Sequence, residues 1–272
     1  MLGAIIGDIV GSRFEFDRSP KVKEFKIFTR TNHFTDDSVM TIAVADALMD
    51  AGVDASEENV KKKLEKSMRV WGKRIPDAGY GVMFYRWLFI PGIGPYRSYG
   101  NGSAMRVSPV GWLYDNLDKT REVARWTAEV THNHPEGVKG AESVAAVIFL
   151  ARNGYSKEYI RKYVANEFGY DLSRTCDDIR PKYRHVESCQ KTVPEAFTAY
   201  LEGNSFEDVL RKAVSLGGDS DTLTAIAASI AEAAYPVPEW IISNAWERMD
   251  ERMRTGFEKY QLAFANGAYG RP

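Results

Sequence analysis

Periodicity constrains this chain more than any single residue. No stretch alternates apolar and polar residues with the period of two that a half-buried strand requires, whereas apolar residues recur at helical spacing over most of the length. On residues 57–74, Val60, Leu64, Met68 and Trp71 make one stripe and lysines cover the rest. Ser156 and Ser205 stand as caps ahead of periodic runs at 156–168 and 205–216, and Gly169 closes the first run. Further helices are expected at about 119–131, 137–153, 193–203 and 237–256. Three segments, 38–50, 140–152 and 222–235, are apolar on every face and are expected at the centre of the molecule. The expected fold is all-α: a single compact domain of many helices, spanning residues 1–272, packed around a few buried ones. A chain of 272 residues can bury a substantial core, and no linker or fixed-period repeat divides it.

Residues 2–11 place Gly3, Gly7 and Gly11 at every fourth position of an apolar run. On a helix this spacing makes one smooth face that a second backbone can approach closely. A glycine-rich nucleotide loop is the rival reading, and it lacks the preceding strand that such a loop needs.

Two short acidic stretches carry the chemistry. In Gly217-Gly218-Asp219-Ser220-Asp221-Thr222, the glycines stop one apolar helix, and Asp-Thr precedes another running from Leu223 to about Tyr235. Asp219, Asp221 and Thr222 are therefore expected on a tight turn at a helix N-terminus. Phe34-Thr35-Asp36-Asp37-Ser38 has the same character: a hydroxyl, two carboxylates, then an apolar helix. Capping alone would account for either stretch in isolation. Four carboxylates brought together would raise one another's pKa or move apart unless a cation neutralised them. Hard oxygen donors at this spacing suit Mg²⁺ or Mn²⁺. The two stretches are read as halves of one metal site of one or two ions.

Other segments are more ambiguous. Glu15, between Phe14 and Phe16, is either a site carboxylate or an exposed turn residue. Residues 17–33 are a polar, irregular excursion. Ile75 to Gly81, with Pro76, Gly79 and Gly81, breaks the preceding helix, and Asp77 there reads as a turn aspartate. Gly100-Asn101-Gly102-Ser103 opens a helix and could offer backbone N–H groups to an anion such as a phosphate, or simply form a tight turn. It carries neither the Walker lysine nor the dinucleotide fingerprint. His132 and His134 do not share a helix face and have no third soft ligand nearby, so a hydrogen bond to substrate suits them better than a metal. The polar loop 169–192 holds both cysteines, and Arg180, Arg184, His185, Glu187 and Gln190 in it are candidates for specificity.

Composition excludes several classes. With 36 basic and 37 acidic residues, the net charge of −1 leaves no basic footprint for nucleic acid and no electrostatic membrane attachment. Two cysteines, Cys176 and Cys189, make no disulfide framework, which fits a reducing cytoplasm. Asp8 interrupts the N-terminal apolar run too early for a signal peptide, and the longest apolar run, Val144 to Ala151, is too short to span a bilayer. A cytoplasmic monomer is the default expectation.

In order along the chain, the motifs are Gly-Asp-Ile-Val-Gly-Ser-Arg-Phe-Glu (7–15), Thr-Asp-Asp-Ser (35–38), Pro-Asp-Ala-Gly-Tyr-Gly (76–81), Gly-Asn-Gly-Ser-Ala-Met-Arg (100–106), Thr-His (131–132) and Gly-Gly-Asp-Ser-Asp-Thr (217–222). With this set the chain resembles the ADP-ribosylglycohydrolase family over nearly its whole length. The resemblance implies a compact all-α fold with two Mg²⁺ or Mn²⁺ ions at the base of a cleft. Thr35, Asp36, Asp37, Asp219, Asp221 and Thr222 would be their ligands. It implies that Glu15 acts near the metals as ligand or gate, with Asp36 beside it at the catalytic centre, and that Asp77 matches an aspartate proposed as an acid or base. Gly100, Gly102 and Ser103 match a diphosphate-binding turn, and His132 matches a residue contacting the distal ribose. Tyr80 and Gly81 would line the same cleft. Ser38 replaces a common threonine, and Ser103 replaces a common second glycine.

The resemblance further implies hydrolysis of the glycosidic bond joining ADP-ribose to a protein side chain or small acceptor. The partner would be an ADP-ribosylated protein or a small ADP-riboside. Two alternatives use the same residues: a non-catalytic ADP-ribose-binding protein, and a binuclear-metal nucleotide phosphohydrolase. Arginine, serine, a nucleobase and O-acetyl-ADP-ribose all remain open as leaving groups.

Overall fold

The computed structural model describes residues 1–265 and is built from helices: α1 (Leu2–Gly11), a 3₁₀ turn (Ser12–Phe14), α2 (Asp36–Ala51), α3 (Glu57–Arg74), α4 (Val82–Phe89), α5 (Gly102–Met105), α6 (Ser108–Leu113), α7 (Leu117–Glu129), α8 (Pro135–Arg152), α9 (Lys157–Phe168), α10 (Cys176–Ile179), α11 (Cys189–Glu202), α12 (Phe206–Leu216), α13 (Ser220–Ala234), α14 (Glu239–Arg248) and α15 (Glu251–Ala265). One isolated bridge, Gly100 to Ser188, is the only β-type pairing among the described residues. No helix among them is long and apolar enough to cross a membrane.

The three segments expected at the centre are there. Every residue of α13 from Ser220 to Ala231 is buried, as are Val39 to Ala45 of α2 and Ser143 to Ala151 of α8. Helix α1 lies antiparallel against α13. A Cβ built on Gly3, Gly7 or Gly11 would fall on the carbonyl oxygens of Ala228, Thr224 and Ser220 in turn. The glycine ladder thus sets the closest helix approach at the centre of the fold, and it brings the C-terminal end of α1 onto the first turn of α13. Glu232 anchors the other end of α1 by accepting from the amides of Leu2 and Gly3 at 3.2 and 2.7 Å.

Caps behave as their residues dictate. Ser156 and Ser205 accept from the amides of Tyr159 and Asp208, and Gly169 closes α9 in the left-handed region. Several expected boundaries shift. The single helix expected at 237–256 is two, because Met249 is extended and Asp250 caps a new start by accepting from the Met253 amide at 2.9 Å. The segment expected to loop through residue 192 holds α10, closed by a reciprocal Thr175–Asp178 capping box, and α11 already begins at Cys189. Pro194 therefore sits inside α11 rather than at its start. Helix α13 begins at Ser220, with Asp219 as its cap, because Gly217 and Gly218 both adopt positive φ and turn the chain before Asp219. Helices α4 and α6 have no counterpart among the helices expected from the sequence. Cys176 and Cys189 are both free and buried.

Candidate functional site

The glycine ladder delivers the site. Its closing rung, Gly11 on Ser220, holds Asp8 of α1 beside Asp221 of α13. The N-terminus of α2 arrives at the same point. Oxygens of Asp8, Asp37 and Asp221 lie within 4.8 Å of one another, and so do oxygens of Glu15, Asp219 and Asp221. The two groups share Asp221. The Thr222 hydroxyl donates to Asp37 at 3.1 Å, joining the two acidic stretches directly across 185 residues of chain.

Asp8 organises the α2 half. Fully buried, it accepts four hydrogen bonds: from the Thr35 amide at 2.8 Å, the Thr35 hydroxyl at 2.7 Å, the Ser38 amide at 3.1 Å and the Ser38 hydroxyl. These commit its oxygens to holding the Thr35–Ser38 turn. Asn101 does the same for the α13 half, donating to Asp219 at 2.7 Å and to the Thr192 hydroxyl at 3.1 Å. Sequence reasoning assigned neither residue a role. A carboxylate on the otherwise apolar, glycine-lined α1 was the available signal for Asp8. For Asn101 there was only its place between two glycines.

The electrostatics call for a cation. Burial, followed by repulsion from Asp8, pushes the Asp36 and Asp37 carboxyls well above the usual carboxylate range. Burial and Asp219 do the same to Asp221. Asp219 and Asp8 are raised chiefly by burial. No lysine or arginine pairs with any of these five among the described residues, and the buried Asp37 Oδ1 has no hydrogen-bond partner. Hard oxygen donors, a shared carboxylate and an orphaned carboxylate oxygen are the donor set that divalent ions such as Mg²⁺ or Mn²⁺ take. The residues present fit such ions.

Above this floor opens a cleft of about 440 Å³. Its lining includes Glu15, Asp36, Asp37, Gly81, Gly100, Gly102, His132, Asp219, Asp221 and Thr222. Glu15 is half-buried, and burial together with the Asp219 carboxylate raises its pKa to about 7. The turn at Gly100–Gly102 is pinned from behind: the Asn101 amide donates to the Glu187 carbonyl at 2.9 Å and the Cys189 amide to the Tyr99 carbonyl at 3.0 Å. His132 is buried beside this turn, and burial holds its pKa well below the ordinary histidine value. Neither His132 nor His134 belongs to the acidic groups; His134 instead caps α8, accepting from the Glu136 amide at 3.1 Å.

Thr35 is buried at the α2 cap and its hydroxyl is held by Asp8, so it stands behind the lining. Three further expected residues do not line the cleft. Asp77 is exposed on the loop between α3 and α4. Tyr80 turns inward, donates its hydroxyl to the Ile75 carbonyl at 3.0 Å and packs on Phe84. Ser103 is fully buried, and its hydroxyl donates to the Gly137 carbonyl at 2.8 Å, so its side chain faces α8 rather than ligand. Of the loop 169–192, Glu187 alone among the specificity candidates lines the cleft.

Comparison with known proteins identifies the family and the fold. A family model described as ADP-ribosylglycohydrolase matches residues 1–267. The chain is 24% identical to the human ADP-ribosylhydrolase ARH3, over 96% of this chain and 90% of that protein. It is 28% identical to the ADP-ribosylarginine hydrolase Tri1 of Pseudomonas putida (strain GB-1), over 93% of this chain and 75% of Tri1. A solved structure titled "ADP-ribosylglycohydrolase-related protein complex" shares the fold, with a TM-score of 0.73 at 24% identity over 98% of this chain and 97% of that one. The chain belongs to the ADP-ribosylglycohydrolase family.

Proposed function

We propose that this family member hydrolyses the glycosidic bond between ADP-ribose and a protein side chain or small acceptor, releasing ADP-ribose. The observation that carries the reading is the convergence of Asp36 and Asp37 with Asp219–Thr222 on the cleft floor, with Asp221 common to two carboxylate groups and Glu15 beside them. The names of the relatives, which act on ADP-ribose linkages, support the substrate class.

Thr35, Asp36, Asp37, Asp219, Asp221 and Thr222 would hold two divalent cations, Mg²⁺ or Mn²⁺. Such ions, when bound, supply Lewis acidity and bring the pKa of a water towards neutrality. Asp8 and Asn101 orient the carboxylates from behind. Outer partners of this kind contribute about 10- to 100-fold to metal affinity or activity. In the reaction the C1″–O or C1″–N bond breaks and water oxygen bonds C1″. One water proton finishes on the leaving group, through an oxocarbenium-like transition state. Glu15, which lines the cleft beside Asp219 and Asp221, would accept and give that proton. The Gly100–Gly102 turn and His132 bind the ligand away from the reacting bond, contributing energy that positions C1″.

The test is product analysis. Purified protein with Mg²⁺ or Mn²⁺ is offered ADP-ribosylated arginine and serine peptides and O-acetyl-ADP-ribose, and the products are identified by mass spectrometry. Release of intact ADP-ribose, lost in Asp219→Ala and Asp36→Ala, is the expected result. Release of phosphate would support a phosphohydrolase instead. ADP-ribose binding without turnover of any substrate would support a binding protein. Full activity in either variant would overturn the paired-cluster site.

A further inference from the structure

Behind His132 lies a buried polar chain that the chemistry above does not use. Arg106 is fully buried, and no carboxylate pairs with it among the described residues. Its Nη2 donates to the Thr127 carbonyl at 3.0 Å and to the Thr131 hydroxyl oxygen at 2.8 Å. The same hydroxyl lies 2.7 Å from His132 Nδ1. A guanidinium can only donate, so Thr131 accepts from Arg106. A hydroxyl can accept twice, but its own proton has no acceptor other than His132 Nδ1 among the described residues, so it points there. An Nδ1 that accepts carries no proton, which leaves the ring proton on Nε2.

Nε2 is the nitrogen that faces the ligand turn. A Cβ built on Gly102 would stand 3.1 Å from it, and one on Gly100 3.5 Å. We propose that Arg106 and Thr131 are positioning residues that lock His132 as the neutral, Nε2-protonated imidazole, presenting one fixed N–H to an oxygen acceptor of the ligand at the Gly100–Gly102 turn. His132 is thereby a donor and not a proton shuttle. The buried Arg106 charge behind the ring also opposes a second proton, in line with the depressed pKa of His132. Only the identity of the acceptor, a hydroxyl or phosphate oxygen of ADP-ribose, rests on the function proposed above.

Long-range ¹H–¹⁵N spectroscopy of the ligand-free protein reads the tautomer directly, with His132→Gln assigning the ring among the four histidines. The expected spectrum has a protonated Nε2 and a hydrogen-bonded, unprotonated Nδ1. In Thr131→Val the Nδ1 resonance should lose its hydrogen-bond shift, and the ADP-ribose dissociation constant should rise about tenfold, the equivalent of one ordinary hydrogen bond. Thr131→Ser, which keeps the hydroxyl, should restore both. A proton on Nδ1 in the wild type, or an Nδ1 resonance unchanged in Thr131→Val, would overturn the proposal. ADP-ribose that binds neither wild type nor variant would refute the reading of the cleft while the tautomer result still decides the relay.

Discussion

Replacing Gly7 with alanine tests how the site is assembled. The added methyl would sit 2.6 Å from the Thr224 carbonyl carbon and 2.7 Å from Ala225 Cα, all of it backbone. Carbon atoms in good contact stand about 3.5–4.0 Å apart, so α1 and α13 must part by about 1 Å. The helix cannot pivot locally, because Gly3 and Gly11 rest on α13 through the same face. Overpacking of this kind costs about 1–3 kcal/mol, and the better helix propensity of alanine returns up to about 1 kcal/mol. A net loss of about 1–2 kcal/mol corresponds to a fall of about 2–8 °C in melting temperature for a domain of this size. Function should fall further. Asp8 is the next residue, and its oxygens meet Asp37 and Asp221 within 4.8 Å. A displacement of about 1 Å at such a centre can cost about 100-fold in rate. The assay pairs calorimetry with ADP-ribose release and Mn²⁺ titration. Gly94→Ala, where nothing lies within 4 Å of the new Cβ, serves as a neutral control. A Gly7→Ala protein as stable and as active as that control would refute the claim that the ladder sets the geometry of the acidic floor.

Further outcomes follow from the same structure. Asp77→Asn should change turnover by less than about threefold, whereas Glu15→Gln should lower it by about 100-fold or more, in keeping with general acid–base contributions; equal losses would return Asp77 to the chemistry. Asn101→Ala removes the donor to Asp219 and should weaken metal affinity by about 10- to 100-fold, read by calorimetric titration, with the fold intact by circular dichroism. The pH dependence has a definite sign. Asp36, Asp37 and Asp221 are raised in the folded, metal-free protein, so they hold protons more tightly folded than unfolded. Their stabilising contribution is complete below the unfolded value of about 4 and is lost as pH rises through the folded values. Chelator-treated protein should therefore melt at lower temperature at about pH 8 than at about pH 5, and Mg²⁺ should restore more at the higher pH. A metal-free melting temperature that rises over this range would contradict the uncompensated cluster.

The helical architecture and the acidic floor were legible because each rests on local pattern. Ser156, Gly169 and Ser205 cap where their side chains and φ angles require, and the every-fourth glycines face a backbone as their spacing demands. What escaped was set by tertiary partners. Asp8 reads as an intruder in an apolar helix until the amides of Thr35 and Ser38 are seen around it. Ser103 stands in the right turn, but the Gly137 carbonyl, 34 residues away, takes its hydroxyl and rotates it out of the cleft. Helix α4 is short and its N-terminal residues Val82 and Met83 are exposed, so its apolar pattern does not separate a buried from an open face. Motif matching locates a loop, whereas side-chain direction depends on hydrogen bonds that no local window contains.

The charge balance of the floor bears on how many ions it takes. Asp8, Asp36, Asp37, Asp219 and Asp221 contribute five negative charges if all are ionised. Two helix N-termini, those of α2 and α13, point at the cluster. Each dipole is worth roughly +0.5 of a charge there, about +1 in all. The residue of about −4 is too large to bury without compensation, and the two divalent cations proposed above would balance it. Glu15, the sixth carboxylate, stands beside Asp219 and Asp221; in the ion-free protein burial and Asp219 raise its pKa to about 7, and cations bound next to it would draw it back down. Two cations would then offset the floor. Because the unfolded chain has no such floor, ion affinity adds directly to folding stability. An Asp8→Asn variant, one charge short and deprived of half its acceptors, should thus weaken both ion binding and the metal-dependent gain in melting temperature together. If the variant kept that gain while losing turnover, Asp8 would act on the reaction directly rather than through the ions.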